Sequence, residues 1–166
     1  MDLQAIFDNY RRTITDHYFD MNGRVGRPQF WYFVLANFVA AILAHIVGRI
    51  VLLPVGQIYN LAVLLPAMSI GARRLQDTGR DGKLVWALLI LVAISQILGI
   101  LTALAFLFTG LFGFLFLPGL GVIGLITLVV AVVLIYFWCQ PGTAGDNAYG
   151  PPSPVFDPSV RVSPSP

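Results

Sequence analysis

The sequence predicts an all-α membrane protein with four transmembrane helices and an N-terminal amphipathic interfacial helix. Three observations lead there. Of 166 residues, 57% are apolar and 11% charged, with a mean hydropathy of +0.80, whereas soluble domains carry about 25% charged residues. Residues 84–145 contain no formal charge. The basic residues gather in short segments between apolar runs. An aqueous globule is thereby excluded, and so is a disordered chain, which needs low hydrophobicity and high charge.

In chain order, residues 1–28 form a cytoplasmic segment. Leu3, Ile6, Phe7, Tyr10, Ile14 and Tyr18 recur at helical spacing, with Asp2, Asp8, Asn9, Arg12 and Asp16 opposite, which predicts a helix over residues 2–19. Such a helix lies in the headgroup plane or packs on the protein's own cytoplasmic loops. No apolar run precedes residue 29, so no cleavable signal is expected and the first span targets the chain. Residues 29–138 form the transmembrane domain, with spans at about 29–47, 53–72, 84–107 and 117–138. Arg49 marks the end of the first span, because an Arg at the membrane centre costs roughly 2.5–3.5 kcal/mol. Pro54 is tolerated in the first turn of the second, and Pro66 is expected to kink it. Residues 84–138, 55 in all, would reach about 82 Å as one helix at ~1.5 Å per residue. A bilayer core of ~30 Å cannot hold that, so they form a hairpin. Its break falls where Gly110, Gly113, Pro118, Gly119 and Gly121 cluster. Residues 139–166 form a Gly/Pro-rich cytoplasmic tail, with six prolines after residue 150 and an extended, disordered end expected.

Orientation follows from the basic residues. Arg11, Arg12, Arg24 and Arg27 precede the first span, and Arg73, Arg74, Arg80 and Lys83 follow the second; the opposite side receives only Arg49. The positive-inside rule places both termini in the cytoplasm. Trp31, Trp86 and Trp138 then all fall on the cytoplasmic interface, where amphipathic rings settle. A three-span chain would strand Trp138 on the far side.

Three polar segments remain: Phe19–Trp31 (FDMNGRVGRPQFW), Arg73–Lys83 (RRLQDTGRDGK) and Cys139–Pro152 (CQPGTAGDNAYGPP). Each carries turn chemistry, and all three share the cytoplasmic face in this topology. Asp77 lies within reach of Arg74 or Arg80. The candidate polar surface comprises Gly23, Arg24, Arg27, Arg73, Arg74, Asp77, Thr78, Gly79, Arg80, Gly142, Gly145 and Asn147. Two readings are open for it: arginines that anchor helix ends to anionic headgroups, at about 1 kcal/mol each, or a composite surface that holds a partner or an anion.

These segments carry a resemblance. GRVGRPQFW, RRLQDTGRDG and CQPGTAGDNAYGP resemble, in order, the three hallmarks of the YhaH-like family, small bacterial inner-membrane proteins built on domain of unknown function 805. The resemblance implies a bacterial cytoplasmic-membrane location and four helices, with no established activity. The chain departs from the family pattern at four positions. Gln76 stands for the family's His, Asp81 for its Ser, Lys83 for its Trp and Gln29 for its acidic residue. The missing His argues against acid–base chemistry in the loop.

Within the spans, Ala36, Ala40, Ala44 and Gly48 form a small-residue stripe that allows close helix approach and a homo-oligomer. Asn37 and His45 lie on a neighbouring stripe. An ionisable intramembrane residue points to function, though an imidazole bonded to a neighbour near an interface needs none. No phosphate loop, zinc motif or nucleophile elbow occurs, and no Glu is present to pair carboxylates. Neither an enzymatic activity, a metal nor a cofactor is expected. The expected partners are the bilayer with its anionic headgroups, a protein at the cytoplasmic face and a second copy. Nucleic acid is not expected, since no basic arm with interleaved aromatics occurs. The function expected is a non-enzymatic interaction or scaffold protein, with a small transporter or channel component as the alternative.

Overall fold

The computed structural model describes residues 3–153 and is all-helical there: α1 (Leu3–Thr15), α2 (Arg27–Val51), α3 (Val55–Asp77), α4 (Leu84–Thr109) and α5 (Leu117–Cys139). Four of them, α2 to α5, are long and apolar enough to cross a membrane. The chain divides into two compact units, one formed by residues up to Gly82 together with those from Gln140, the other by Lys83–Cys139.

In the first unit α2 and α3 form a hairpin. Pro28 sits in the first turn of α2, where its missing N–H costs nothing. The helix stops at Leu52, in the left-handed region at φ 56°. Gly48 lies under this connection, and a Cβ there would come within 2.8 Å of the Leu53 carbonyl. Gly48 is buried in that turn, so the last member of the small-residue stripe closes the hairpin.

Every α3 residue from Met68 to Asp77 is buried. Pro66 lies inside α3 and cannot donate to the Ala62 carbonyl one turn back. The Tyr18 hydroxyl donates to that carbonyl instead, at 2.8 Å. Ser69 Oγ reaches the carbonyls of His17, at 2.9 Å, and of Asp20. Residues 17–25 thus run along the C-terminal half of α3, and the Val25 N–H ends the run on the Arg73 carbonyl at 3.3 Å.

The N-terminal helix is shorter than the expected 2–19. It ends at Thr15, whose hydroxyl bonds the Arg11 carbonyl and Asp16 Oδ1, and local side-chain bonds of this kind compete with helix propagation. Asp2 and the proline-rich end beyond residue 153 lie outside the described residues. α1 packs on α2 and α3 with Ile6, Asn9 and Thr13 buried. Asn9, read from sequence as part of the polar face, donates through Nδ2 to the Gln29 carbonyl at 3.0 Å. Tyr10 stacks on Phe33 with ring centroids 5.5 Å apart. α1 therefore crosses the first two turns of α2.

In the second unit α4 passes through a 3₁₀ segment, Gly110–Phe116, into α5. Gly113 lets the Phe106 ring lie on its backbone, where any Cβ would overlap the ring, and Phe114 meets the same ring edge-on at 5.0 Å. The hydroxyls of Ser95, Thr102 and Thr127 donate to carbonyls four residues back at 2.7, 2.7 and 2.8 Å. These three hydroxyls are thereby satisfied within their own helices.

Candidate functional site

The three polar segments meet at the C-terminal end of α3. That helix ends in a Schellman motif. Gly79 takes φ +76°, its N–H donates to the Gln76 carbonyl at 3.0 Å, and the Arg80 N–H donates to the Leu75 carbonyl at 3.0 Å. Thr78 Oγ1 adds a bond to the Leu75 carbonyl at 2.8 Å. The Asp-Thr-Gly-Arg run is therefore a helix stop, and it leaves Asp77 in the last turn. A carboxylate there faces the negative end of the helix dipole, unfavourable by about 0.3–1 kcal/mol.

Two guanidinium groups outweigh that term. Arg24 Nε donates to Asp77 Oδ1 at 3.0 Å, and Arg74 Nη1 donates to Asp77 Oδ2. The side chains are sealed, with exposures of 2% for Arg24, 0% for Arg74 and 6% for Asp77. The remaining donors go to backbone carbonyls of the tail. Arg24 Nη1 reaches Gly145 at 2.7 Å and Gly150 at 3.3 Å, and its Nη2 reaches Thr143 at 2.6 Å. Arg74 Nη2 bonds Gln140, and Nη1 also reaches Val25 at 3.4 Å.

The tail answers in kind. The Thr143 N–H donates to the Asp77 carbonyl at 2.8 Å. Asn147 Nδ2 donates to the Gln76 carbonyl and to Thr143 Oγ1, both at 2.9 Å. Asn147 and Gly150 close a tight turn through paired backbone bonds, with positive φ at Gly145 and Gly150. Gly142 approaches so closely that a Cβ would overlap the Asp77 carboxylate. Gly23, at φ +96°, turns the chain just ahead of Arg24.

The structure thus gathers Arg24, Arg74, Asp77, Thr78, Gly79, Gly142, Gly145 and Asn147. Arg24, Arg74 and Asp77 form a buried ion cluster where the sequence suggested an exposed face, and Asp77 takes Arg24 and Arg74 as partners, not Arg80. Arg80 Nη1 donates to the Thr78 carbonyl at 3.4 Å, and Arg27 is exposed at the start of α2. Arg73 is also buried and forms no ion pair with Asp77. With both carboxylate oxygens held by guanidinium groups, Asp77 is a joint between segments.

A family model described as a protein of unknown function (DUF805) matches residues 18–151. The chain belongs to the DUF805 family. It is 28% identical over 141 residues to the inner membrane protein YhaI of Escherichia coli K12, covering 83% of this chain and 89% of that one. It is also 28% identical over 152 residues to the inner membrane protein YhaH of the same strain, at 87% and 95% coverage. The uncharacterized protein YiiR of that strain is 29% identical over 140 residues, at 83% and 88% coverage. No solved structure matches. All members of the cluster fall inside the DUF805 match, while α1 lies ahead of it.

At the position of the DUF805 His, Gln76 donates through Nε2 to the Met21 carbonyl at 2.8 Å. Its Oε1, like Arg73 Nε, is buried with no hydrogen-bond partner among the described residues. The intramembrane candidates are engaged separately. His45 Nδ1 bonds the Ala41 carbonyl one turn back at 2.8 Å, and its ring lies against Gly56, where a Cβ would come within 2.6 Å of Nδ1. Asn37 Oδ1 accepts from the Tyr59 hydroxyl at 2.7 Å, and Tyr59 meets the Tyr10 hydroxyl at 2.5 Å. The Tyr59 proton is committed to Asn37, so Tyr10 donates to Tyr59. Burial, and then the bond to Tyr59, raise the pKa of Tyr10 well above the ordinary phenol value, which keeps it a neutral donor.

Sequence reasoning missed Tyr10, Tyr18, Tyr59, Ser69 and Thr143. Two signals were available. A proline inside a membrane helix leaves a carbonyl that some hydroxyl must satisfy, and Ser69 is a lone hydroxyl in the buried half of α3.

Proposed function

We propose that this chain is a non-enzymatic interaction or scaffold protein of the bacterial inner membrane, with both termini in the cytoplasm and a folded cytoplasmic cap that receives a protein partner. One observation carries the reading: three segments far apart in sequence are tied into a single buried ion cluster at the end of α3. Arg24 and Asp77 are 53 residues apart, and Arg24 and Gly145 are 121 apart. A cluster of this kind rigidifies a surface, and a rigid polar surface is what a partner recognises at low entropic cost. The contact then falls to the exposed residues around the cluster, Arg27, Asp81 and Asp146. The inner-membrane names of YhaI and YhaH, the four long apolar helices and the distribution of basic residues support the location and the orientation. Transport has less support, because His45 and Asn37 bond to different groups and form no common path among the described residues.

The N-terminal helix serves in this reading as an interfacial anchor on anionic headgroups. It crosses the first turns of α2, and it leaves Leu3 and Phe7 exposed at 77% and 64%.

Photocrosslinking in the native cell tests the cap. A benzoylphenylalanine at Asp146 should trap a discrete protein band, and that band should disappear when Asp77→Asn loosens the cap. A Leu125 probe on the exposed apolar surface of α5 should trap lipid only. An Asp146 probe that yields no protein band, with the chain present at normal levels in the membrane, rules the reading out.

A further inference from the structure

α1 docks through a face of mixed polarity: it buries Ile6, Asn9 and Thr13 and leaves Leu3 and Phe7 outward. In water this arrangement is costly, at roughly 25 cal/mol per Å² of apolar surface left wet. It is favourable if the outer face meets hydrocarbon. The inner face is fixed by direction-specific bonds: Asn9 to the Gln29 carbonyl at 3.0 Å, and Tyr10 to Tyr59 at 2.5 Å. The helix therefore cannot roll to hide Leu3 and Phe7.

Along this helix runs a shallow groove of about 150 Å³ lined by Phe7, Tyr10, Arg11, Ile14 and Thr15. Three walls are apolar or aromatic. Arg11 is exposed at the rim and forms no ion pair among the described residues. At the other end stands Thr15, whose hydroxyl lies 2.7 Å from Asp16 Oδ1. A shallow open groove of that size takes a stretch of a single acyl chain.

We infer that the α1 groove is a binding site for one anionic phospholipid, with its acyl chain along Phe7, Tyr10 and Ile14 and its phosphate on Arg11. This rests on the proposed interfacial placement of α1 and adds to it a seated lipid with headgroup preference. The site lies ahead of the DUF805 match and uses none of the cluster residues. Tyr10 links it to the spans through Tyr59 and Asn37.

The test uses the full-length chain and two readouts. Native mass spectrometry compares retention of phosphatidylglycerol and phosphatidylcholine by the wild type, Arg11→Gln and Arg11→Lys. A cation near an anionic headgroup is worth about 1 kcal/mol, so Arg11→Gln should lower the preference for phosphatidylglycerol about fivefold, and Arg11→Lys should keep it. In nanodiscs, a spin label on Phe7→Cys in a Cys139→Ser background should be relaxed by oxygen and shielded from a water-soluble nickel chelate. A label reached by the chelate overturns the interfacial placement and the lipid site together. A shielded label with unchanged lipid preference in Arg11→Gln overturns the lipid site alone. A label shielded in lipid-free detergent, with a concentration-dependent dimer, assigns the groove to a second copy and also overturns it.

Discussion

Arg73 and Arg74 are neighbours in sequence and both buried, yet they differ in what they meet. Arg74 holds Asp77, Gln140 and Val25, whereas Arg73 has a buried Nε with no hydrogen bond among the described residues. Removing one partner of a buried pair leaves an uncompensated charge and costs about 3–5 kcal/mol. Removing a buried donor that is already unpaired restores a desolvation cost of about 1–3 kcal/mol and offsets the lost packing. Arg74→Met is therefore expected to destabilise the chain by about 3–5 kcal/mol. Arg73→Met should stay within about 1 kcal/mol of the wild type, as a hydrophobic replacement of similar volume. Thermal unfolding in detergent separates the two, and equal losses would show that Arg73 is as well paired as Arg74. The sequence displays both arginines in one motif and nothing in it distinguishes them. Their difference comes from segments 49 and 66 residues away in the chain, Val25 and Gln140, and pairings over such separations leave no mark on local pattern.

At the level of elements, α3 is the one span whose local sequence signals its packing. Its apolar window is 44% buried, against 6% for each of the other three, and it is also the least apolar. Gln57, Asn60, Ser69 and Gln76 interrupt it. Pro66 adds a broken hydrogen bond, and Tyr18 repairs it at the Ala62 carbonyl. This pair makes a double-mutant test. Tyr18→Phe removes the donor and leaves the carbonyl unsatisfied, at a cost of about 1–3 kcal/mol. In a Pro66→Ala background the backbone regains an N–H at that position and returns to the carbonyl its ordinary helical partner. Tyr18→Phe should then cost only a few tenths of a kcal/mol. Equal penalties in both backgrounds would mean that Tyr18 acts through packing alone. The existence of the spans was legible because composition and glycine–proline punctuation act locally. The burial of Asn9 in α1 was not legible, because helical periodicity assigns it to the polar side and cannot register a carbonyl on Gln29 that attracts it inward.

For the whole molecule, the even number of spans and the charge bias act together on a single measurable quantity, the side of the membrane on which each connection lies. Cys139 is the only cysteine of the sequence and it is exposed. The next residue, Gln140, is held by Arg74, so the thiol sits one residue from the cap and next to Trp138. In the proposed four-span topology, with eight of ten basic residues before the first span or just after the second, the positive-inside rule and the aromatic interface belt put this end in the cytoplasm. A membrane-impermeant maleimide should then leave intact spheroplasts unlabelled at Cys139 and should label inverted vesicles. The α2–α3 connection supplies the opposite reporter. Gln57→Cys in a Cys139→Ser background is exposed one turn past Pro54 and should react in spheroplasts and be protected in inverted vesicles. Reaction of both cysteines from the same side would require an odd number of crossings between residues 57 and 139 to be replaced by an even one, and so a failed span. The Gly- and Pro-rich break between α4 and α5 is one place where such a failure would occur, because that break is what lets the 55-residue apolar stretch cross a core of ~30 Å twice.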